Sequence, residues 1–523
     1  MPPFEFKALD YGVMLAYLVA MLVIGVWAGF RKKEDDEYFL AHRQIPWYAI
    51  GLSIVATLIS SLSYISEPGE VFISGFTNII GKFIAIILET GFVLFLFIPF
   101  LMRFRFTSAY EYLEYRFDTN ARKLGVLFFS LQTVAWMGFV ILAMARTLVE
   151  VTHLNLGIVI VILGIITTLY TMVGGYRGVV WTDVVQFFLM LGGALACIIF
   201  IAYKTNSTPF AWISTALEVH SAKQQTLFFS FDPYQRSTII TFAITMFVWH
   251  ICIHLGNQMT VQRYFSSTDL SQARKSFILA VAGNILINGV LVLVGLGILY
   301  ETIKGNSTVD LSQEKKADMI FPRYMVEFLP SGLAGTVLTA VLAAAMSTIS
   351  SGFNSLATVL AMERIHSDKT SRALFAIRIT LLAGLFATLL AYGIDHLVKD
   401  RNIVEMMPRS FNCFTAPLGG MFLIGIFIPW IHARALIFAS LISFLCAILI
   451  SYGKEIFGLD KNISFTFIMP LSLLTMLITA LILNLFLVSP KKNLNGLTWF
   501  SRGHRPNIDP SLISNLNEKI NNA

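Results

Sequence analysis

Charge is scarce in this chain. Asp, Glu, Lys and Arg make up 13% of its 523 residues, about half of the roughly 25% usual in a soluble globular protein. That shortage excludes an ordinary water-soluble domain and a disordered chain, both of which depend on charge facing water. Cysteine is nearly absent, with four residues, Cys197, Cys252, Cys413 and Cys446. All lie in or beside apolar runs, so no external loop holds a pair, and a disulfide-rich secreted scaffold is excluded. There is no Gly-x-Ser-x-Gly elbow and no repeated histidine box, which argues against a membrane enzyme. Low-complexity tracts, short repeats and a soluble domain are missing too, so function must lie within the apolar part.

What the chain has is hydrophobic residues, 56% of the total, in blocks of roughly 18 to 25, the length that crosses about 30 Å of hydrocarbon. Thirteen segments read as spans: 11–30, 47–68, 76–101, 124–150, 155–174, 181–203, 237–259, 276–300, 332–361, 373–394, 411–430, 433–452 and 464–488. The first is too long for a signal-peptide core and lacks a small-residue cleavage site, so it reads as a retained span. The formal charge of +7 points to the positive-inside rule, not to nucleic acid. Arg103, Arg105, Arg116, Arg122 and Lys123 fall in one loop, and Arg274, Lys275, Arg378 and Arg434 fall on the same side further along. This predicts a multi-pass cell-membrane protein with its N-terminus outside and its C-terminus inside.

Polar groups are costly in a bilayer and mark cavities or pathways, and four clusters stand out. In the second span, Thr57, Ser60, Ser61, Ser63, Tyr64 and Ser66 precede Glu67-Pro-Gly-Glu70. Six hydroxyls in ten residues favour a cavity and a discontinuous helix over hydroxyls bonded back to their own turn. In Ala343-Ala-Ala-Met-Ser-Thr-Ile-Ser-Ser-Gly-Phe-Asn-Ser355, helical spacing puts Ala344, Ser347 and Thr348 on one face. That face suits either an alkali-cation site or a small-residue packing seam. In Gly174-Gly-Tyr-Arg-Gly-Val-Val-Trp-Thr-Asp-Val-Val-Gln186, Asp183 fits a helix cap or a cation ligand. The His250/His254 pair has metal-ligand or proton-relay spacing, but stands alone among nine histidines scattered along the chain, which disfavours a metal site.

Together with Thr107–Phe117, Asn257-Gln…Val261-Gln-Arg-Tyr264 and Pro417-Leu-Gly-Gly420, these stretches resemble the sodium:solute symporter family, closest in pattern to its bacterial sialic acid transporters. The resemblance implies an all-α polytopic fold with a leucine-transporter-type core. This core has two inverted five-helix repeats among about 13 spans, with spans 2 and 7 discontinuous. The implied organisation is a flanking helix and loop (1–46), the first repeat (47–203), an outside loop (204–236), the second repeat (237–430), two flanking helices (431–488) and a cytoplasmic tail (489–523).

The resemblance also implies site residues. A main sodium site falls on the Ala56, Ile59 and Ala344 carbonyls with the Ser347 and Thr348 hydroxyls, and a second on Asp183, Ser350 and Ser351. It turns the balance for Asp183 from cap to ligand and favours two sodium ions over one. Among substrate positions, Ser60 and Ser63 match the family's hydroxyls. Lys82 stands where a glutamine is expected, and Ala135 and Trp136 lie where an arginine would clamp a carboxylate. A lone lysine lacks the bidentate fork of arginine. Lys82 fits substrate contact, or a structural pair with Glu67, Glu70 or Glu89. The expected function is sodium-coupled symport of a small polar solute, preferably a sugar derivative; a carboxylate metabolite or proton coupling is the alternative. The expected partners are the solute, sodium as coupling ion and membrane lipid. Neither a cofactor nor an obligate protein partner is implied.

Overall fold

The computed structural model describes residues 7–29, 35–222, 227–230, 232–304, 317–363, 369–397, 403–458, 460–487 and 493–504. Most of the expected cytoplasmic tail lies outside them. Among the described residues every regular element is a helix, as hydrocarbon requires of a chain that must satisfy its own backbone hydrogen bonds. Eleven helices are long and apolar enough to span a membrane, or twelve if one bent pair counts as a single span.

We number the helices that bear on the argument α1 (Ala8–Gly29), α2 (Trp47–Leu58), α3 (Ser61–Ser74), α4 (Thr77–Phe92), α5 (Thr119–Thr152), α6 (Leu156–Thr205) and α7 (Ile239–Gly256). Then follow α8 (Gln258–Phe265), α9 (Leu270–Ile303), α10 (Leu333–Met362), α11 (Lys369–Leu397), α12 (Ile403–Phe427), α13 (Ala433–Phe457) and α14 (Ile468–Phe486). Local chemistry starts several of them. Asp118 accepts from the Ala121 amide at 2.8 Å to begin α5, and Asp269 from the Gln272 amide at 3.0 Å to begin α9. Each satisfies an amide that has no partner inside its helix.

Three breaks shape the interior. Between α2 and α3 the chain bends by 65°. Ile59 is extended there (φ −86°, ψ 94°), and Ser60 caps α3 through its side chain. The discontinuity expected in the second span is present, but at Ile59–Ser60; Pro68 lies inside α3. The seventh span also breaks, at Asn257 (φ −89°, ψ 117°), whose side chain accepts from the Met259 amide at 2.8 Å to start α8. The third break differs from expectation. Segments 155–174 and 181–203 are joined in α6, whose 50 residues pass through a kink at Gly175 (φ 56°, ψ −158°). That backbone conformation is essentially restricted to glycine.

Helix α10 lies at the centre and is buried along nearly its whole length. It packs on α6, α1, α5 and α11. Its N-terminus is held by Asp10 of α1, which accepts from the Gly332 amide (2.7 Å), the Gly335 amide (2.8 Å) and the Ser331 hydroxyl (2.8 Å). By contrast, α11 exposes Leu381, Leu382, Leu385, Phe386 and Leu389, an apolar stripe suited to lipid.

Candidate functional site

The break after α2 sits against the serine-rich middle of α10. The Ser347 hydroxyl donates to the Ala56 carbonyl at 2.7 Å and approaches the Ala344 carbonyl at 3.1 Å. The Thr348 hydroxyl lies 3.2 Å from the same Ala344 carbonyl and 3.0 Å from the Thr57 carbonyl. Four of the five oxygen donors expected at the main sodium site therefore meet at one seam between α2 and α10. The fifth residue, Ile59, stands at the break, where its extended backbone leaves the helical ladder. Neutral oxygens of this kind suit an ion that must bind and leave. Ser347 and Thr348 are wholly buried.

Asp183 is no helix cap, because it lies within α6 beyond Gly175. Its Oδ2 accepts from the Ser53 hydroxyl at 2.5 Å and from Arg263 Nη2 of α8 at 2.9 Å. The Thr57 and Ser351 hydroxyls are each 3.4 Å away. Arg263 also donates to Ser53 (2.9 Å), Thr57 (2.5 Å), Ser351 (2.7 Å) and the Met259 carbonyl. Both ion-pair side chains are essentially inaccessible, at 1% and 0%. Of the expected second-site residues, Ser351 joins Asp183, whereas Ser350 bonds back to the Ser347 carbonyl at 3.1 Å. Sequence reasoning missed Arg263 and Ser53 as Asp183's partners. Arg263 stood in a quoted motif, but nothing local tied it to a carboxylate 80 positions away. Asp183 Oδ1 is buried without a hydrogen-bond partner among the described residues.

At the substrate positions, Ser60 and Ser63 hydroxyls lie 3.5 Å apart at the start of α3. Lys82 of α4 forms an ion pair with Glu67 and donates to the Asn288 side chain of α9 at 2.7 Å. Glu70, a second candidate partner, instead pairs with Arg236, and Glu89, the third, faces His250. Trp136 stacks on Phe411, with centroids 5.2 Å apart.

Residues 38–451 match the sodium:solute symporter family. The chain belongs to that family. This makes it a member of a transporter family and not an enzyme, as expected from the sequence. Its relatives include the sodium/sialic acid symporter SiaT of Proteus mirabilis (strain HI4320), 28% identical over 462 residues, covering 86% of this chain and 91% of that protein. NanT of Aliivibrio fischeri (strain ATCC 700601 / ES114), also a sodium/sialic acid symporter, is 28% identical, with 82% and 85% covered. Among solved structures, a substrate-bound, outward-open Na+-coupled sialic acid symporter matches with a TM-score of 0.81 and 26% identity, over 94% of this chain and 100% of that one. A closed nucleobase-cation-symport-1 family transporter matches at a TM-score of 0.51 and 15% identity, over 86% and 92%, which bears on fold alone. The fold is leucine-transporter-like.

Proposed function

We propose that this protein is a sodium-coupled importer of a small polar sugar derivative, working by alternating access in the cytoplasmic membrane with its N-terminus outside. The observation that carries this reading is the α2–α10 seam. There a helix break and two buried hydroxyls bring Ala56, Ala344, Ser347 and Thr348 oxygens together, joined by Ile59 when sodium binds. Sodium affinity for the joined seam exceeds that for a parted one, so the ion shifts the conformational population. Counting the two arms of α6 as separate spans gives thirteen. Spans 2–6 and 7–11 then form the repeats, with α1 before and α13 and α14 after.

A second sodium ion belongs beside Asp183, with Ser350 and Ser351 nearby. Arg263 takes Oδ2, and Oδ1 is the carboxylate oxygen left for the ion. Each elementary charge moved inward is worth about 2.3 kcal/mol per 100 mV, so two ions concentrate a neutral solute strongly.

Ser60, Ser63 and Lys82 form the proposed solute contacts. Glu67 answers the Lys82 charge within the protein, which favours a sugar derivative over a simple carboxylate held by an unpaired lysine. The relatives' names point the same way. The absence of an arginine near Ala135 and Trp136 argues for a derivative other than sialic acid.

Thermal stability of purified protein, measured against sugars, amino sugars, sugar acids and monocarboxylates in sodium and in potassium, tests the reading. A ligand at 100 times its Kd adds about 2.7 kcal/mol of stability. Stabilisation by a sugar derivative in sodium alone supports the proposal. Equal shifts in both salts with a strong pH dependence would replace it with proton coupling. Hits confined to monocarboxylates would overturn the substrate class.

A further inference from the structure

The histidine pair of α7 has a third member that its spacing could not reveal. His250 and His254, one turn apart, both face Glu89 of α4. Glu89 Oε2 contacts His250 Nδ1, and Glu89 Oε1 lies 3.9 Å from His254 Nε2. One ligand atom from each residue lies within 4.8 Å of the others. The three side chains are 2–4% accessible. Glu89 Oε2 and His250 Nδ1 are buried against each other, with no other hydrogen-bond partner among the described residues. The other nitrogen of His254, Nδ1, lies 2.6 Å from the Tyr264 hydroxyl of α8. With Nδ1–H donating to Tyr264, Nε2 turns a bare lone pair toward Glu89.

We propose that Glu89, His250 and His254 form a zinc site that clasps α7 to α4. Two imidazoles and a carboxylate are a borderline donor set that takes Zn2+ in tetrahedral geometry, leaving one position for water. With bonds of about 2.0–2.1 Å, tetrahedral ligand atoms lie about 3.3 Å apart, so the 3.9 Å gap closes with small side-chain rotations. Tyr264 supplies the outer hydrogen bond that orients a metal-bound imidazole. The cluster is separate from the sodium seam: it uses α4 and α7, whereas the seam uses α2 and α10. Hard, weakly charged sodium prefers the seam's neutral oxygens, and zinc prefers the imidazole nitrogens.

The test uses the full-length protein in detergent, with any affinity tag removed. Metal content is measured after exposure to Zn2+ and desalting, and visible absorption after loading with Co2+. The expected result is about one metal per chain and the strong d–d bands of tetrahedral Co2+, with a raised melting temperature that a chelator reverses. Glu89→Gln and His254→Gln should each abolish stoichiometric binding. Tyr264→Phe, which keeps all three ligands, should weaken affinity about 10- to 100-fold. The wild-type Co2+ spectrum needs no variant and so stands even if one fails to fold. Absence of metal and of d–d bands in wild type overturns the proposal. So does binding that survives in folded Glu89→Gln, or a melting temperature that follows pH but ignores zinc, which would make the cluster a proton site.

Discussion

Arg263→Gln gives the sharpest test of what Asp183 does. In the wild type, Arg263 Nη2 lies 2.9 Å from Asp183 Oδ2 with both side chains out of solvent. Removing the guanidinium leaves a buried carboxylate with one short hydroxyl bond, from Ser53 at 2.5 Å, and two long ones at 3.4 Å. Breaking one side of such a pair costs about 3–5 kcal/mol. The freed carboxylate is also a stronger cation site. Sodium at 100 times its Kd would return about 2.7 kcal/mol through linkage, more than half of the loss. The variant should therefore melt well below wild type in potassium and recover much of the difference in sodium. Asp183→Asn should be milder, because Arg263 keeps the Met259 carbonyl and the hydroxyls of Ser53, Thr57 and Ser351 as acceptors, and sodium should not rescue it. The double variant should show neither the deep loss nor the rescue. Thermal unfolding of all four proteins in matched sodium and potassium buffers measures this. A sodium-induced rise in melting no larger in Arg263→Gln than in Asp183→Asn, which keeps the same α2–α10 seam, would refute a sodium-attracting role for Asp183.

Three further outcomes follow from the same geometry. Ser347→Ala and Thr348→Val each remove one oxygen from the proposed main site. An interaction of an oxygen with a charged group is worth about 1.5–3 kcal/mol, so half-saturating sodium in proteoliposome uptake should rise about 10- to 150-fold, and unchanged values in both would remove that site. Lys82→Gln should leave Glu67 without its cation and reduce solute affinity more than sodium affinity; isothermal titration in sodium separates the two, and equal solute affinity would make Lys82 purely structural. Gly175→Ala places a side chain at φ 56°, ψ −158°, a conformation that costs about 1–3 kcal/mol. Its melting temperature should fall in both salts alike, and an unchanged value would mean that the kink relaxes freely.

Much of the fold was legible because hydrocarbon imposes one rule on every span, and long apolar runs obey it. The serine-rich face of α10 was legible for a related reason: at 3.6 residues per turn, Ala344, Ser347 and Thr348 share one side of a helix. What was hidden depends on contacts between distant helices. Nothing in the local pattern joins Asp183 to Arg263, or Glu89 to a histidine pair some 160 positions later. The position of a break was also obscured. Pro68 marks no end of a helix: it sits beyond the second turn of α3, where its missing amide costs one helical hydrogen bond without ending the helix. The chain turns instead at Ile59, an ordinary apolar residue, because Ser60 supplies the cap that starts a new helix. At Gly175 the sequence did part segments 155–174 and 181–203, and the structure puts a kink there within one continuous helix, α6.

The Ser347–Ala56 contact has a consequence for ion exchange. A hydroxyl carries both a hydrogen and lone pairs. In the arrangement described, its hydrogen points at the Ala56 carbonyl, and the two oxygens, 2.7 Å apart, stand closer than two ligands of one cation. Loading an ion at the proposed site asks the hydroxyl to turn its hydrogen away and present a lone pair, and asks the 2.7 Å pair to open enough to share a cation. Unloading reverses that rotation and leaves no buried carbonyl stranded. At the proposed site, ion exchange therefore joins a hydroxyl rotation to a small adjustment of α2 against α10, so occupancy and helix position are linked at a single contact.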